Sequence, residues 1–214
     1  MKTSATAATS AGRPFDAVLC DVDNVIRCYD TTELANLERR AGVAEGTTAK
    51  VGFAPERGRP LLLGEITKAE WARSIAAGLA GLVPQDLARE LGAALTTAPA
   101  RADAAVVDML TRARAHVPVV LVTNASVELE EELAALGLDG LADHVVSSAR
   151  TGVAKPDARI YAIAADLASV PPHRCLFVDD SPENVEAAAG LGMKTVHYRS
   201  PHHLRTALTP LLDN

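Results

Sequence analysis

Two acidic residues directly follow the first apolar run of the chain. Asp21 and Asp23 come after residues 17–20, with Val22 between them. Two carboxylates about 4 Å apart repel each other by up to about 4 kcal/mol at an effective dielectric constant near 20. A cation that prefers oxygen ligands, such as Mg²⁺, relieves that repulsion. The pair therefore indicates a metal site, although two aspartates where a strand enters a turn are also common without one.

A second acidic pair follows a later apolar run. Asp179 and Asp180 come after residues 175–178, and Ser181 and Pro182 behind them are typical of a helix start. Adjacent carboxylates at the end of a buried strand are destabilising unless a cation or hydrogen-bond donors neutralise them. This pair therefore favours a cation site more strongly than the first pair does.

Two further segments offer groups that bind anions. Thr123 and Asn124 follow the apolar run 119–122, and a hydroxyl with backbone N–H groups ahead of a helix can bind phosphate oxygens. Helix capping by Asn124 or Ser126 is the simpler alternative. Lys155 lies in a loop before the next helix, where a solvent-exposed side chain is the simpler alternative. Phosphoryl transfer, however, needs a positive charge beside the phosphoryl oxygens, which favours a functional Lys155.

Apolar runs and helical periodicity indicate the elements that position these residues. The runs are typical of buried parallel strands, and the segments between them have the spacing of helices. The predicted strands are residues 17–20, 118–122, 144–147, 175–178 and 194–198, and the predicted helices are 103–115, 127–136, 157–168 and 183–191. Because strand and helix alternate, we predict an α/β fold with a doubly wound parallel sheet, whose strands end at one ligand crevice.

One long stretch interrupts this alternation. Between the first strand and Asp103, the sequence has helical signals and no convincing strand, which predicts a helical domain inserted into the core. The predicted parts are a disordered leader of residues 1–14, a Rossmann-like core of residues 15–29 and 101–214, and a helical cap of residues 30–100.

Within the cap, local signals indicate individual helices. Thr67 and Glu70 have the spacing of a capping box, and Pro84 suits the first turn of the next helix. The region 58–64, with Pro60, is typical of a loop. The cap would act as a lid over the crevice. Its candidates for substrate contact are Arg57, Arg59, Lys68 and Trp71, for which solvated charges and a core tryptophan are the simpler interpretation.

Composition limits the kinds of partner. The chain has 214 residues, a formal net charge of -6 and no long basic run, so nothing favours nucleic acid or an anionic membrane. Cys20, Cys28 and Cys175 lack the spacing of a zinc site or a disulfide framework. No apolar stretch has the length of a secretory signal or a membrane span. We expect a cytoplasmic protein that is either a monomer or a homodimer.

The four groups of candidate residues form four motifs along the chain: Asp21 with Asp23, Thr123 with Asn124, Lys155, and Asp179 with Asp180. In this chain order they resemble the haloacid dehalogenase (HAD) superfamily, and within it the phosphatase-like group with a helical cap after the first strand. The segment 152–198 is similar to the phosphatase domain at the N-terminus of soluble epoxide hydrolases. The matching residues are Val153-Ala154-Lys155-Pro156-Asp157, Ile160-Tyr161, Phe177-Val178-Asp179-Asp180-Ser181, Asn184-Val185 and Gly190-Leu191-Gly192-Met193. The resemblance extends over roughly residues 15–200.

The resemblance implies a division of labour among the acids. Asp21 would be the nucleophile, and Asp23 the general acid and base. Mg²⁺ would be held by Asp21, Asp180 and the backbone carbonyl of Asp23, with Asp179 assisting from outside the ligand set. The implied reaction is hydrolysis of a small phosphomonoester in two displacements through an aspartyl-phosphate, and the implied partner is a small phosphorylated metabolite.

The remaining motifs imply binding of the phosphoryl group. Thr123, the backbone N–H of Asn124 and Lys155 would hold its oxygens, and Lys155 would also neutralise the nucleophile. Asn24 departs from the family pattern, which usually has Gly after the second acid. Asparagine tolerates a left-handed backbone better than most residues, so we expect the loop to keep its shape.

Four other functions share parts of this pattern. A phosphomutase shares all the motifs. A 2-haloacid dehalogenase shares the fold and the nucleophile but lacks counterparts of Asp23 and of the acidic pair ending at Asp180. A receiver-like signalling domain is shorter and has no helical insert. A non-catalytic HAD-like binding module has no need of an intact set of acids.

Overall fold

The computed structural model describes residues 12–212, so the predicted leader of residues 1–14 lies largely outside the described part of the chain. In that part, five strands form a parallel sheet and two short strands form an antiparallel pair. The strands are β1 (Ala17–Cys20), β2 (Arg27–Tyr29), β3 (Ala100–Ala102), β4 (Val119–Thr123), β5 (His144–Ser147), β6 (Cys175–Asp179) and β7 (Lys194–His197).

The central position of β1 determines where the acidic residues meet. Along the sheet the strand order is β5-β4-β1-β6-β7. Cys20 at the end of β1 pairs with Leu121 of β4 on one side and with Val178 of β6 on the other. Every residue of β1 is buried, as expected for a parallel strand covered on both faces. Because the five strands run in one direction, their carboxyl ends share one edge of the sheet.

The helices of the described residues lie either around this sheet or in the insert between β2 and β3. They are α1 (Thr32–Arg40), α2 (Thr47–Gly52), α3 (Pro55–Leu62), α4 (Lys68–Gly78), α5 (Gln85–Thr96), α6 (Ala104–Arg114), α7 (Leu129–Ala135), α8 (Ser148–Thr151), α9 (Ala158–Leu167), α10 (Pro182–Gly190) and α11 (Pro201–Leu212). Helices α6, α7 and α11 pack on one face, and α9 and α10 pack on the other. Val18 faces the first group and Leu19 the second, because successive side chains of a strand alternate between faces.

The predicted doubly wound α/β fold is confirmed. Each of the five predicted strands ends within one residue of an observed strand, and the four predicted core helices end within two residues of observed helices. Helices α8 and α11 were not predicted. None of the helices in residues 12–212 has the length and apolar character needed to cross a membrane.

Helices α1 to α5 lie between β2 and β3 and have a hydrophobic cluster of their own. Leu34, Leu61, Trp71, Ile75 and Leu91 are buried in it, apart from the two clusters that flank the sheet. The predicted capping box is present at the start of α4, where the Thr67 and Glu70 side chains each accept from the other residue's backbone N–H. Pro84 immediately precedes α5. The limits of the cap at residues 30 and 100 stay a prediction.

Two expectations about this insert are wrong. Most of region 58–64 is helical, because α3 continues through Pro60 and ends at Leu62. Proline removes one helical hydrogen bond, but burial of Leu61 in the cluster of α1 to α5 outweighs that loss. Strands β2 and β3, which close the base of the insert, also have no apolar run that would predict them; they pair through Cys28 and Arg101.

Gly64, just after α3, marks a close approach between the insert and the core. Its backbone is left-handed, with φ +72°, and a Cβ atom there would lie 2.7 Å from the carbonyl oxygen of Ala149 in α8. Gly42 has a similar φ of +74° with no atom within 4 Å of the position of a Cβ. Both positions therefore need a residue that tolerates a left-handed backbone, but only at Gly64 is there also no room for a Cβ atom.

We predict that Gly64→Ala destabilises the protein more than Gly42→Ala. Both substitutions force alanine into the left-handed region, at a cost of about 1 kcal/mol. Only Gly64→Ala also drives a methyl group into a backbone oxygen, which should cost about 1 kcal/mol or more in addition. Urea unfolding of both variants measures the difference. Equal losses would show that the insert can move away from α8 without cost.

Candidate active site

Strands β1, β4 and β6 bring the predicted site residues to one edge of the sheet. Asp21 follows β1, Thr123 is the last residue of β4, and Asp179 is the last residue of β6. The backbone N–H of Asp21 donates to the carbonyl of Val178 at 2.9 Å, which extends the β1–β6 pairing to the acid itself. Strand order and register therefore place these three residues at neighbouring positions along one edge of the sheet.

Lys155 lies between two of these acids. Its ammonium nitrogen is 2.7 Å from Asp21 Oδ1 and 2.7 Å from Asp179 Oδ2, and its side chain is only 2% exposed. Burial alone would lower the pKa of Lys155, but the two carboxylates outweigh it and raise the pKa, so the group stays charged. The alternative of a solvent-exposed lysine is wrong.

Burial has the opposite effect on Asp21. Loss of water raises the pKa of its carboxyl to about 7, although the charge of Lys155 acts to lower the pKa. The negative charge of Asp179 adds to the increase. Ionised Asp21 therefore depends on positive charge nearby, and further positive charge at this point would favour the ionised form.

Asp179 is a buried support for Lys155. It is 0% exposed, and its Oδ1 accepts from the backbone N–H of Ser181 at 2.9 Å and from Asn184 Nδ2 at 3.0 Å. Its Oδ2 accepts from Lys155. Both oxygens of Asp179 thus already have donors within the protein. This agrees with an assisting position for Asp179, although its role stays a prediction.

Asn124 fixes the backbone that carries Lys155. Its Oδ1 accepts from the backbone N–H of Lys155 at 2.7 Å, and its Nδ2 donates to the backbone carbonyl of Lys155 at 2.9 Å. The alternative that Asn124 or Ser126 caps the following helix is wrong, because α7 begins only at Leu129 after Glu128. The Asn124 side chain joins the second motif to the third.

The Thr123 hydroxyl group is buried and has no hydrogen-bond partner among the described residues. Its side chain is 0% exposed, and Oγ1 has no hydrogen-bond partner among residues 12–212. Buried polar groups normally have partners, and an unpaired one costs about 1 to 3 kcal/mol. An oxygen-rich ligand at the end of β4 would supply the missing partner.

Asn24 contacts the second acidic pair. Its backbone has φ 61°, the left-handed conformation expected for the residue that replaces the usual glycine. Its Nδ2 donates to Asp180 Oδ2 at 3.0 Å, a hydrogen bond that glycine could not make. The departure from the family pattern therefore keeps the loop and adds a donor beside a predicted metal ligand.

Carboxylate oxygens of Asp21, Asp179 and Asp180 lie within 4.8 Å of one another. With all three carboxyl groups ionised, Lys155 offsets one of the three charges, so two negative charges remain at this point of the described structure. Hard divalent cations such as Mg²⁺ take oxygen ligands of this type, so the residues fit such an ion. The carboxylate of Asp23 is not part of this cluster, and the role of its backbone carbonyl as a ligand stays a prediction.

Asp23 is instead paired with Arg27. Arg27 Nε lies 2.6 Å from Asp23 Oδ1, and Arg27 Nη1 lies 2.6 Å from Glu132 Oε2 in α7. Glu132 also pairs with Lys68, the first residue of α4. Neither Arg27 nor Glu132 belongs to a motif. The sequence gives one signal for Arg27, its four-residue spacing from Asp23, and none for Glu132.

A cavity of about 450 Å³ lies between the insert and the edge of the sheet. The apolar side chains at its wall include those of Tyr29, Phe53, Leu61, Leu62, Trp71 and Leu95. Asp23 and Asn124 line the cavity on the core side, and Lys68 lines it on the other side. Among the four candidates for substrate contact, Lys68 and Trp71 therefore reach the cavity. Arg57 pairs with Glu56, and neither Arg57 nor Arg59 lines the cavity.

Solved structures with the same fold come from several HAD enzymes. A HAD-family enzyme of Bacteroides thetaiotaomicron, in complex with magnesium and inorganic phosphate, superposes with a TM-score of 0.65 at 18% identity, covering 86% of this chain and 94% of that one. A predicted HAD-like hydrolase of Porphyromonas gingivalis has a TM-score of 0.70 at 19% identity, covering 94% and 100%. An L-2-haloacid dehalogenase has a TM-score of 0.63 at 20% identity, covering 86% of each chain. At these identities the similarity shows the fold alone.

Curated relatives match shorter parts of the chain. Haloacid dehalogenase-like hydrolase domain-containing protein 3 of Xenopus laevis is 35% identical over 88 residues, which are 40% of this chain and 36% of that protein. Acyl-CoA dehydrogenase family member 10 of Mus musculus is 36% identical over 70 residues, which are 33% of this chain and 6% of that protein. The similarity to soluble epoxide hydrolases stays a prediction. Residues 15–192 match the haloacid dehalogenase-like hydrolases as a family, so the chain belongs to that family.

Proposed function

We propose that the protein is a Mg²⁺-dependent phosphatase that hydrolyses a small phosphomonoester through an aspartyl-phosphate on Asp21. The observation that carries the proposal is the buried ammonium of Lys155 between Asp21 and Asp179, with the unpaired hydroxyl of Thr123 on the neighbouring strand. A nucleophilic carboxylate, a fixed cation and a free hydrogen-bond donor at one point are what phosphoryl transfer to a protein side chain requires.

The metal site would consist of Asp21, Asp180 and the backbone carbonyl of Asp23. Two unbalanced negative charges in the acidic cluster support a divalent ion there. When bound, Mg²⁺ would offset the repulsion between a phosphate ester and the carboxylates and orient the phosphoryl oxygens. Asn24 would keep Asp180 in place through its amide.

The first displacement forms the covalent intermediate. A carboxylate oxygen of Asp21 attacks phosphorus, and the bond between phosphorus and the ester oxygen breaks. Lys155 and Thr123 stabilise the charge on the transferring group. Asp23, protonated at this stage, gives its proton to the leaving oxygen so that the product leaves as a neutral alcohol.

The second displacement restores the enzyme. Asp23, now ionised, takes a proton from a water molecule as that water attacks phosphorus. The bond between phosphorus and Asp21 breaks, inorganic phosphate leaves, and Asp21 is again a carboxylate. Asp23 thus carries a proton in both directions, which needs a carboxyl group that is not occupied by the metal ion.

Phosphate hydrolysis explains more of the site than dehalogenation does. A halide leaving group needs neither a proton nor a metal ion, so Asp23 and the acidic cluster at Asp180 would have no task in a dehalogenase. Phosphomutase activity uses the same residues and differs in the acceptor of the phosphoryl group. The apolar wall of the cavity offers a surface for the alcohol part of a small ester, and the insert of α1 to α5 would cover it as a lid.

We predict that the purified protein hydrolyses 4-nitrophenyl phosphate when Mg²⁺ is present. Excess chelator should reduce the rate by at least about 100-fold, because the metal ion contributes several kcal/mol to the stabilisation of transition-state charge. Restoring free Mg²⁺ should restore the rate, which controls for irreversible damage. Full activity in the chelator would contradict the metal assignment.

Binding of Mg²⁺ should also be visible without substrate. At a concentration tenfold above its dissociation constant, Mg²⁺ should stabilise the fold by about 1.4 kcal/mol, a rise of about 3 to 5 °C in the unfolding temperature. Asp180→Asn should remove most of that rise. Asp86→Asn, which alters an exposed acid in α5, should keep it. An equal rise in all three proteins would place the ion elsewhere.

Substitution of Asp21 and substitution of Asp23 should affect the reaction in different ways. Asp21→Asn removes the nucleophile, so turnover should vanish with every ester. Asp23→Asn keeps the nucleophile, and an activated aryl ester scarcely needs a proton on its leaving group. Rapid-quench measurements should then show a burst of nitrophenol near one equivalent of enzyme, slow turnover afterwards, and phosphate trapped on Asp21. Two equally silent variants would contradict the assigned roles.

A further inference from the structure

Arg27 is a buried cation at the wall of the cavity. Its side chain is 3% exposed, and its guanidinium lies between Asp23 and Glu132, with 2.6 Å to an oxygen of each. Its Cζ atom also lies 5.1 Å from the centre of the Tyr29 ring, a distance typical of a cation–π contact. None of the roles described so far uses this residue.

The backbone around Arg27 keeps it at a fixed distance from Asp23. The N–H of Asn24 donates to the carbonyl of Arg27 at 2.8 Å, and the N–H of Arg27 donates to the carbonyl of Val22 at 2.8 Å. The N–H of Ile26 donates to the same carbonyl at 2.8 Å. Backbone hydrogen bonds within the turn between β1 and β2 therefore fix its backbone. The Asp23 carboxyl group can then change position only by rotation about its side-chain bonds.

Arg27 stays charged in this environment. Burial acts to lower the pKa of its guanidinium, but the hydrogen bond and charge of Asp23, with Glu132, raise the pKa instead. A buried ion pair is a weak source of stability, because apolar residues of similar volume often stabilise a fold as well or better. Stability alone therefore gives little reason for an arginine at this position.

We infer that Arg27 is a positioning residue for Asp23, and this inference rests on the proposed phosphatase activity. Arg27 holds one oxygen of Asp23 by the 2.6 Å bond from Nε, while the Asp23 side chain remains 32% exposed at the cavity. Fixing one oxygen directs the carboxyl group toward the place where an ester oxygen leaves. The same bond keeps the Asp23 carboxylate away from the cluster of Asp21 and Asp180.

Glu132 completes the arrangement from the opposite side. It accepts from Arg27 Nη1 and also from Lys68 at the start of α4, so it holds the guanidinium from a helix of the core while contacting the insert. A guanidinium has donors on separate nitrogens in a rigid plane, which suits a bridge between two carboxylates. Glu132 thus sets the direction of Arg27, and Arg27 sets the direction of Asp23.

The test compares two aryl esters, 4-nitrophenyl phosphate and phenyl phosphate, whose leaving groups differ in their need for a proton. The parameter is kcat/KM, because it reports the steps up to formation of the aspartyl-phosphate and excludes the later hydrolysis. The variants are Arg27→Met, which keeps the length of the side chain without its charge, and Glu132→Gln. The matched control is Glu130→Gln. Glu130 lies on the same helix as Glu132, and its substitution breaks an ion pair with Arg150 of α8.

Arg27→Met should lower kcat/KM for phenyl phosphate by about tenfold or more and for the nitrophenyl ester by less than about threefold, since general acid catalysis contributes about 100-fold or more. Glu132→Gln should show a smaller selective loss, and Glu130→Gln should change neither value. The stabilisation of all variants by Mg²⁺ should match that of the wild type.

Equal losses with both esters in Arg27→Met would overturn the inference, because a purely structural role does not depend on the leaving group. If Arg27→Met fails to fold, Glu132→Gln decides: a loss confined to phenyl phosphate supports the role, and equal losses or none overturn it. A wild-type protein that hydrolyses neither ester contradicts the proposed function and this role with it. An active wild type with non-selective variants contradicts only the role of Arg27.

Discussion

The ammonium group of Lys155, buried between Asp21 and Asp179, is the interaction on which the rest of the site depends. Removing charged groups from water costs several kcal/mol for each ion, so this trio persists only with good geometry and satisfied hydrogen bonds. The sheet provides the geometry because β1 and β6 are neighbours and end side by side. A shift of either strand by one residue would turn its acid to the opposite face of the sheet. Strand register, the charge pairing of Lys155 and the position of Asp21 are therefore one constraint.

The charged groups at the edge of the sheet and those at the wall of the cavity form two sets with different balances. The first set has three acids and one base, namely Asp21, Asp179, Asp180 and Lys155. The second set has two acids and two bases, namely Asp23, Arg27, Glu132 and Lys68. With all groups ionised, the first set has excess negative charge, which favours a cation, whereas the second set is balanced. In the proposed reaction, this separation leaves the Asp23 carboxyl group free of the metal ion and available for proton transfer.

The sequence predicts those parts of the molecule that depend on local patterns. Strands 17–20 and 175–178 are read directly from apolar runs, because a buried parallel strand needs apolar residues on both faces. The helical path through Pro60 is not predictable in this way, since packing of the neighbouring Leu61 decides it. The Arg27–Glu132 pair is invisible for a related reason: its members are 105 positions apart and meet only when α7 packs beside β2. Motifs identify the chemistry, and tertiary contacts decide how each group is held.

Helix α4 connects the insert to this chemistry through its first residue. The backbone N–H of Lys68 donates to Glu128 at 3.0 Å, and the Lys68 ammonium pairs with Glu132. Both carboxylates thus face the positive end of a helix, where negative charge is stabilised. Any movement of α4 away from α7 would leave Glu132 with Arg27 as its one remaining partner among these ion pairs. The contact between the insert and the core and the ion pairs that lead to Asp23 consequently share one residue, Glu132, because Glu132 pairs with Lys68 on one side and with Arg27 on the other.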